Sequence, residues 1–313
     1  MEKVIQAETL CRSFGDVTAV NGVDIEVSEG EIYGFLGPNG AGKSTVVKIL
    51  TTLLLPTSGT AQVLGSDVVT EADKIRLRIG VALQEASLDK KQSGREILRL
   101  QGRLYGLSKA ETDQRIDQLS SLLEVEALDR WVGTYSGGME RRLDLAASLI
   151  HNPDLLFLDE PTTGLDPKSR ANVWEEVRRI NTELGTTIFL TTQYLEEADE
   201  LADRLGIINN GKIVGEGTPD ELKRTVGSDV LHVRLTSDAT AAQQVIETLD
   251  VVDRVECGPA GLLISVKNGA GSVSPVAVAL DKCGAQVTEL TLRTPSLDDV
   301  FFELTGGRIE VSV

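Results

Sequence analysis

EIYGFLGPNGAGKSTVVKILTTLL, Glu31 to Leu54, changes its periodicity halfway. It begins as an apolar run that ends in glycine, the pattern of a strand buried on both faces. From Lys43 it carries helical spacing, and Pro56 stops it. The stretch between, GPNGAGKS, Gly37 to Ser44, fits the pattern G-x-x-x-x-G-K-[ST]. A glycine loop that leaves a strand and opens a helix turns backbone N–H groups and the positive helix end toward one point, where phosphate oxygens bind. Gly37, Pro38, Asn39, Gly40, Ala41, Gly42, Lys43, Ser44 and Thr45 are therefore the candidate phosphate-binding residues. Lys43 is expected on the β- and γ-phosphates, and the Ser44 hydroxyl on Mg2+.

Two more buried strands follow the same logic: LLFLD, Leu155 to Asp159, and TIFLTT, Thr187 to Thr192. Each leads into a helical pattern, KSRANVWEEVRRINTEL or YLEEADELADRL. Strands alternating with helices predict a parallel α/β sheet. VTAVNGVDIEV, before the glycine loop, alternates like a small antiparallel sheet, and Gly94 to Ile150 has mostly helical spacing. LLFLDEP adds two adjacent carboxylates at a strand's C-terminal end. Asp159 is placed to support Mg2+ and Glu160 to orient and polarise an attacking water. The reaction class implied is nucleotide hydrolysis.

YSGGMERRLDLAASL, Tyr135 to Leu149, precedes that strand. Ser136, Gly137 and Gly138 stand before a helix and form a second anion-binding N-terminus. The stretch resembles the signature motif of ABC-type ATPases. The order of glycine loop, Gln84, signature, Asp159-Glu160, GLDP and a polar residue at 193 matches that superfamily from Val4 to about Arg224. The resemblance implies ATP and Mg2+ as ligands, and a signature that faces the γ-phosphate held by a second subunit. It also implies that Gln84 touches Mg2+ or the attacking water, that Phe14 of RSFGD packs on adenine, and that Asp166 lies at a dimer interface. Tyr135 and Met139 depart from the commoner LSGGQ wording and leave the backbone donors intact.

Gln193 departs further. Most ABC ATPases carry His there, and Gln can donate a hydrogen bond but cannot become cationic or shuttle a proton. Chemistry that leaned on the imidazole would then rest on Glu160. The daunorubicin-resistance type of drug-export ATPase also reads TTQYLEEAD, with YSGGM and a closing SLDDVF like Ser296 to Phe301. This chain resembles that subfamily over nearly its whole length.

After Asp229 the order is strand, helix, strand, strand, helix, strand, with a closing helix SLDDVFFELTG. That order predicts a small ferredoxin-like α+β domain. The expected architecture is an ABC ATPase domain over residues 1–228, with a helical subdomain at about 86–150, and an accessory domain over 229–313. The latter has no phosphate loop, so a regulatory or assembly role is expected of it.

Composition narrows the partners. The 313 residues carry a net charge of −17, and the part from Asp229 onward contributes −6 of it, so the acidity is spread. No nucleic-acid partner is expected, since phosphate backbones need a basic face. Cys11, Cys257 and Cys283 are too few and too scattered for a disulfide framework or zinc site. No apolar run reaches the roughly 20 residues of a membrane helix, and MEKVIQAETL does not read as a secretory signal. The expectation is a cytoplasmic chain, peripheral on the membrane through a separate ABC-2-type permease and paired head to tail with a second copy. It would power efflux of drug-like or lipid-like substrates. Two alternatives stay open: a soluble ABC ATPase in a non-transport role, and a weakly hydrolysing ATP-dependent switch.

Overall fold

The computed structural model describes residues 2–83, 88–125, 127–236, 239–258 and 261–306. Along the chain, β1 (Lys3–Phe14) and β2 (Val17–Ser28) lead to β3 (Ile32–Leu36), the glycine loop and α1 (Lys43–Leu50). β4 (Ser58–Val63), β5 (Ser66–Asp67), α2 (Ala72–Arg76) and β6 (Ile79–Ala82) follow. Then come α3 (Gly94–Leu104), α4 (Lys109–Leu122) and α5 (Gly137–Leu149). The core resumes with β7 (Leu155–Asp159), α6 (Pro167–Leu184), β8 (Thr187–Thr192), α7 (Leu195–Leu201), β9 (Arg204–Asn209) and β10 (Lys212–Gly217). The remainder is α8 (Pro219–Val226), β11 (Asp229–Leu235), α9 (Ala239–Ile246), β12 (Val252–Gly258), β13 (Gly261–Val266), α10 (Gly269–Lys282), β14 (Val287–Arg293) and α11 (Leu297–Thr305).

The central sheet has the order β10-β9-β3-β8-β7-β6, parallel except for β10 at its edge. Its strands β3, β8 and β7 are buried along their full length, which is why they read as continuous apolar runs. Alternate residues of β7 serve opposite faces. Leu155 and Phe157 join a core with Val46, Val47 and Leu50 of α1, while Leu156 and Leu158 join one with Leu143, Val177 and Ile180. Phe189 of β8 stacks among Tyr33, Phe35 and Phe157, with ring centroids 5.6 Å apart in each pair. The expected small antiparallel sheet is β2-β1-β4-β5.

Between β6 and β7 the described chain is helical. α3 and α4 begin with capping boxes, Ser93 with Glu96 and Ser108 with Glu111, so serine and glutamate satisfy amides at both helix starts. YLEEADELADRL, expected as one helix, is helical only over Leu195–Leu201. Beyond it, RLGIIN is claimed by the sheet as β9 beside β3. Asp203 fixes that change: its N–H donates to the Ile32 carbonyl at 2.9 Å and its carboxylate accepts from Ile32 N–H at 2.8 Å.

The chain divides into two compact units, one ending at Pro219 and one spanning Asp220–Gly306. The division follows Pro219, the first residue of α8 and earlier than residue 228, so Asp220–Val226 group with the second unit. That unit is an antiparallel sheet in the order β12-β13-β11-β14, the strand order of a ferredoxin-like fold. Leu231 and Val233 of β11 enter its core with Ile264, Val276 and Leu280, and His232 and Arg234 face outward. Among the described residues no helix is long and apolar enough to cross a membrane.

Candidate active site

The glycine loop is built where β3 runs out of sheet partners. Gly37 N–H donates to the Thr192 carbonyl at 3.2 Å, and a Cβ on Gly37 would meet the Ile208 carbonyl oxygen at 2.4 Å. Gly42, the N-cap of α1, has φ 112°, and its Cβ would meet the Ala19 carbonyl oxygen at 2.4 Å. No side chain fits at either place, so the spacing of these two glycines follows from the packing of β9 and β2 around the loop. Asn39 and Gly40 are exposed at the loop's outer turn, while Lys43 is buried and Ser44 and Thr45 are half-buried.

Lys43 folds back over the loop. Its ammonium donates to the carbonyls of Gly37 at 2.8 Å and Pro38 at 3.1 Å, and lies 3.0 Å from Glu160 Oε1. Glu160, the first residue past β7, has φ 50°, a left-handed conformation uncommon for a residue with a side chain. Three contacts hold it: its N–H donates to the Thr191 carbonyl and hydroxyl oxygens, each at 3.1 Å, and its Oε2 accepts from Thr163 Oγ1 at 3.2 Å. Asp159 Oδ1 accepts from Thr191 Oγ1 at 2.5 Å and from Ser44 Oγ at 3.3 Å. The Thr191 hydroxyl therefore joins the two carboxylate residues, and Ser44 joins the loop to the β7 end.

Gln193, just past β8, is 4% exposed, and among the described residues its amide oxygen has no hydrogen-bond partner. Lys43, Ser44, Asp159 and Glu160 are thus brought together, and Gln193 follows the Thr192 carbonyl that anchors Gly37. Gln84 lies outside the described residues. Phe14 is exposed at the end of β1, with the Arg12 guanidinium 4.5 Å from its ring centroid. That leaves an aromatic face at the surface rather than in a core.

The signature begins α5. Ser136 caps the helix, accepting from Met139 N–H at 3.3 Å. Among the described residues a Cβ on Gly137 or Gly138 would meet nothing within 4 Å, the opposite of Gly37 and Gly42. Asp166 caps α6, accepting from Lys168 N–H at 3.0 Å, Ser169 N–H at 3.1 Å and Ser169 Oγ at 2.5 Å. The Ser169 hydroxyl and amide hold its carboxyl below the usual range, so it stays ionised at the helix's positive end.

Several residues of the site were not singled out from sequence. Thr191 and Thr163 position the carboxylates. Arg141, in the signature helix, is buried and donates to the Leu83 carbonyl at 2.9 Å and Asp144 at 3.2 Å. The signal for Thr191 was available: two consecutive hydroxyl residues close β8 directly after the apolar run Ile188–Leu190.

The family comparisons follow these motifs. An ABC transporter family model matches residues 20–163, and one for the C-terminal domain of DrrA1-3-like ATP-binding proteins matches 217–305. The chain is 45% identical over 308 residues to a daunorubicin/doxorubicin resistance ATP-binding protein, DrrA, of Streptomyces peucetius, covering 97% of this chain and 93% of that one. It is 38% identical over 309 residues to the Nod factor export ATP-binding protein I of Cupriavidus metallidurans, covering 98% of each. A solved dimeric bacterial ABC transporter cassette superposes with a TM-score of 0.62 at 25% identity, over 68% of this chain and 98% of that one. The chain belongs to the ABC transporter family of ATPases, among the DrrA-like ATP-binding proteins.

Proposed function

We propose that this chain binds Mg-ATP on the Gly37–Thr45 loop and hydrolyses it with Glu160 as base, as the motor of an exporter. The observation that carries the reading is the buried Lys43–Glu160 pair at the mouth of α1. A lysine held by two loop carbonyls and a base is ready to exchange them for phosphate oxygens, and that exchange frees Glu160 for a water. The donor set suits the metal: the Ser44 hydroxyl and Asp159 carboxylate are hard oxygen ligands already 3.3 Å apart. Mg2+, when bound there, neutralises charge developing on the phosphates. Thr191 holds Asp159 and the Glu160 backbone, and Thr163 aims the Glu160 carboxylate. The Gln193 amide supplies a hydrogen bond toward the γ-phosphate.

Two copies paired head to tail complete each site. Gly137 and Gly138 support this: nothing described within this chain requires a missing side chain there, so the close approach that favours glycine comes from outside. A nucleotide held by a second copy meets the α5 N-terminus in that arrangement. The motor attaches to a separate ABC-2-type permease at the cytoplasmic face of the membrane and drives efflux of drug-like or lipid-like molecules. The names of the DrrA and Nod factor export relatives support that direction.

Glu160→Gln tests the reading. It is expected to bind ATP, lose most hydrolysis and elute as a dimer with Mg-ATP in size-exclusion chromatography; a variant that stays monomeric at saturating Mg-ATP counts against the sandwich. Gln193 in place of the usual His favours one competing reading, a weakly hydrolysing ATP-dependent switch. Steady hydrolysis by the wild-type chain rejects it.

A further inference from the structure

Glu197 lies in the first turn of α7, four residues past Gln193, and is wholly buried. TTQYLEEAD reads as the start of an acidic, solvent-facing helix, yet this carboxyl faces inward. A buried carboxylate costs several kcal/mol unless its surroundings answer it, so its partners indicate what it does. Oε1 accepts two hydrogen bonds, from Thr162 Oγ1 at 2.8 Å and from the Trp174 indole N–H at 3.0 Å. Among the described residues, no donor lies within hydrogen-bonding geometry of Oε2. Burial pushes the carboxyl's pKa up, opposed by the hydroxyls of Thr192 and Thr162, the Trp174 indole and the charge of Arg141.

These partners come from the segments that carry the chemistry. Thr162, fully buried, follows Glu160 by two residues, and its carbonyl accepts from Leu165 N–H at 3.2 Å as the turn heads for Asp166. Trp174 belongs to α6, which Asp166 caps. Thr192 ends β8 next to Gln193, and its hydroxyl accepts from Tyr194 N–H at 2.9 Å. One carboxylate oxygen thus ties the turn after Glu160 and helix α6 to the helix that begins just past Gln193. An apolar side chain there would bring no charge to desolvate, but would leave the Thr162 hydroxyl and the Trp174 indole without the acceptor they use. What the carboxylate adds over such a residue is direction.

We propose that Glu197 is a positioning residue for hydrolysis: through Thr162 and Trp174 it sets the turn carrying Glu160 against the strand end carrying Gln193. The proposal rests on the reading of Glu160 as base and Gln193 as donor given above. Glu197 does not reach the reacting atoms, so its loss acts on turnover rather than on nucleotide binding.

The test measures steady-state ATP hydrolysis by the full-length chain, with affinity for a fluorescent ATP analogue and thermal unfolding read on the same samples. Thr162→Val and Trp174→Phe each delete one donor and keep the packing. They are expected to lower kcat, Thr162→Val by about tenfold, with KM, nucleotide affinity and Tm close to wild type. Glu197→Ala is expected to lose at least as much kcat, and Glu197→Gln, which keeps the Oε1 acceptor, to recover most of it. Adding Thr162→Val to Glu197→Ala should cost little more, since both delete one bond. Wild-type kcat in both donor deletions overturns the proposal. So does a loss in every variant that follows the fall in Tm, because a purely structural role predicts that pattern. Glu160→Gln, run in parallel, separates the two readings: if it is inactive while the Thr162 and Trp174 variants are normal, only the positioning role falls.

Discussion

The Lys43 ammonium and the Glu160 carboxylate lie 3.0 Å apart, and both side chains are buried. The loop's cation and the proposed base form one buried ion pair. Lys43→Ala therefore does two things: it deletes a phosphate ligand and strands a buried carboxylate. Breaking one side of a buried pair costs about 3 kcal/mol, so Lys43→Ala should lower stability to urea as well as nucleotide affinity. Lys43→Ala with Glu160→Gln should regain most of the stability and none of the affinity. Equal stability of Lys43→Ala and wild type would show that the pair carries no net energy.

Thr191 offers a sharper test of how the carboxylates are held. Its hydroxyl donates to Asp159 at 2.5 Å and accepts from Glu160 N–H at 3.1 Å. Thr191→Val keeps the branched shape in a strand and removes both contacts, while the Thr191 carbonyl still receives Glu160 N–H. Turnover should fall about tenfold and stability by about 1–2 kcal/mol. Because Asp159 loses a donor that orients it, half-maximal rate should also require more Mg2+. A Mg2+ titration of ATPase rate reads this directly, and an unchanged curve would separate Thr191 from the metal site.

What could be read in the sequence was what local chemistry forces. Gly37 and Gly42 have carbonyls where a Cβ would go, and Asp159-Glu160 must leave a strand as neighbours, so both motifs are written in consecutive residues. The order of strands and helices after Asp229 was equally plain, because each element carries its own period. The unread parts depend on partners far along the chain. RLGIIN is a strand because β3 lies beside it, and nothing in LADRL marks where α7 stops. Glu197 is an acidic residue in an acidic run until Thr162 and Trp174 close over it. Arg141 reaches back to Leu83, a contact 58 residues away that no spacing rule encodes.

Asp144, one turn after Arg141 in α5, has a carboxyl pushed up to about 6 by burial, although Arg141 lies 3.2 Å away and pulls it down. An acid whose folded value exceeds its unfolded value, about 3.9, keeps its proton longer in the folded chain. Its stabilising contribution is complete below about pH 4 and is lost as the pH rises through about 6. Measured against Asp144→Asn, the wild-type chain should lose about 2–3 kcal/mol of relative stability between about pH 4 and pH 7. Urea denaturation of both proteins across that range gives the difference. Parallel curves would mean that Asp144 titrates as it does in the unfolded chain.

Gln193 makes the most specific claim, since its amide is buried and its oxygen lacks a partner among the described residues. That oxygen can only accept, as from the attacking water, whereas the group able to donate to a phosphate oxygen is the amide NH2. If the amide donates to the γ-phosphate while Glu160 does the base chemistry, Gln193→Ala removes one charge-assisted hydrogen bond, worth about 1.5–3 kcal/mol. Hydrolysis should fall by roughly tenfold to a hundredfold if the full value is expressed in the transition state. Gln193→His should remain active, because imidazole also donates. It should acquire a pH dependence near neutrality that the amide, which does not titrate, cannot give the wild-type chain. ATPase rates of the three proteins from about pH 6 to 8, across the histidine range, decide the matter. Wild-type turnover by Gln193→Ala would remove the donor role, and a flat profile for an active Gln193→His would show that the ring does not meet the reacting phosphate in its titrating form.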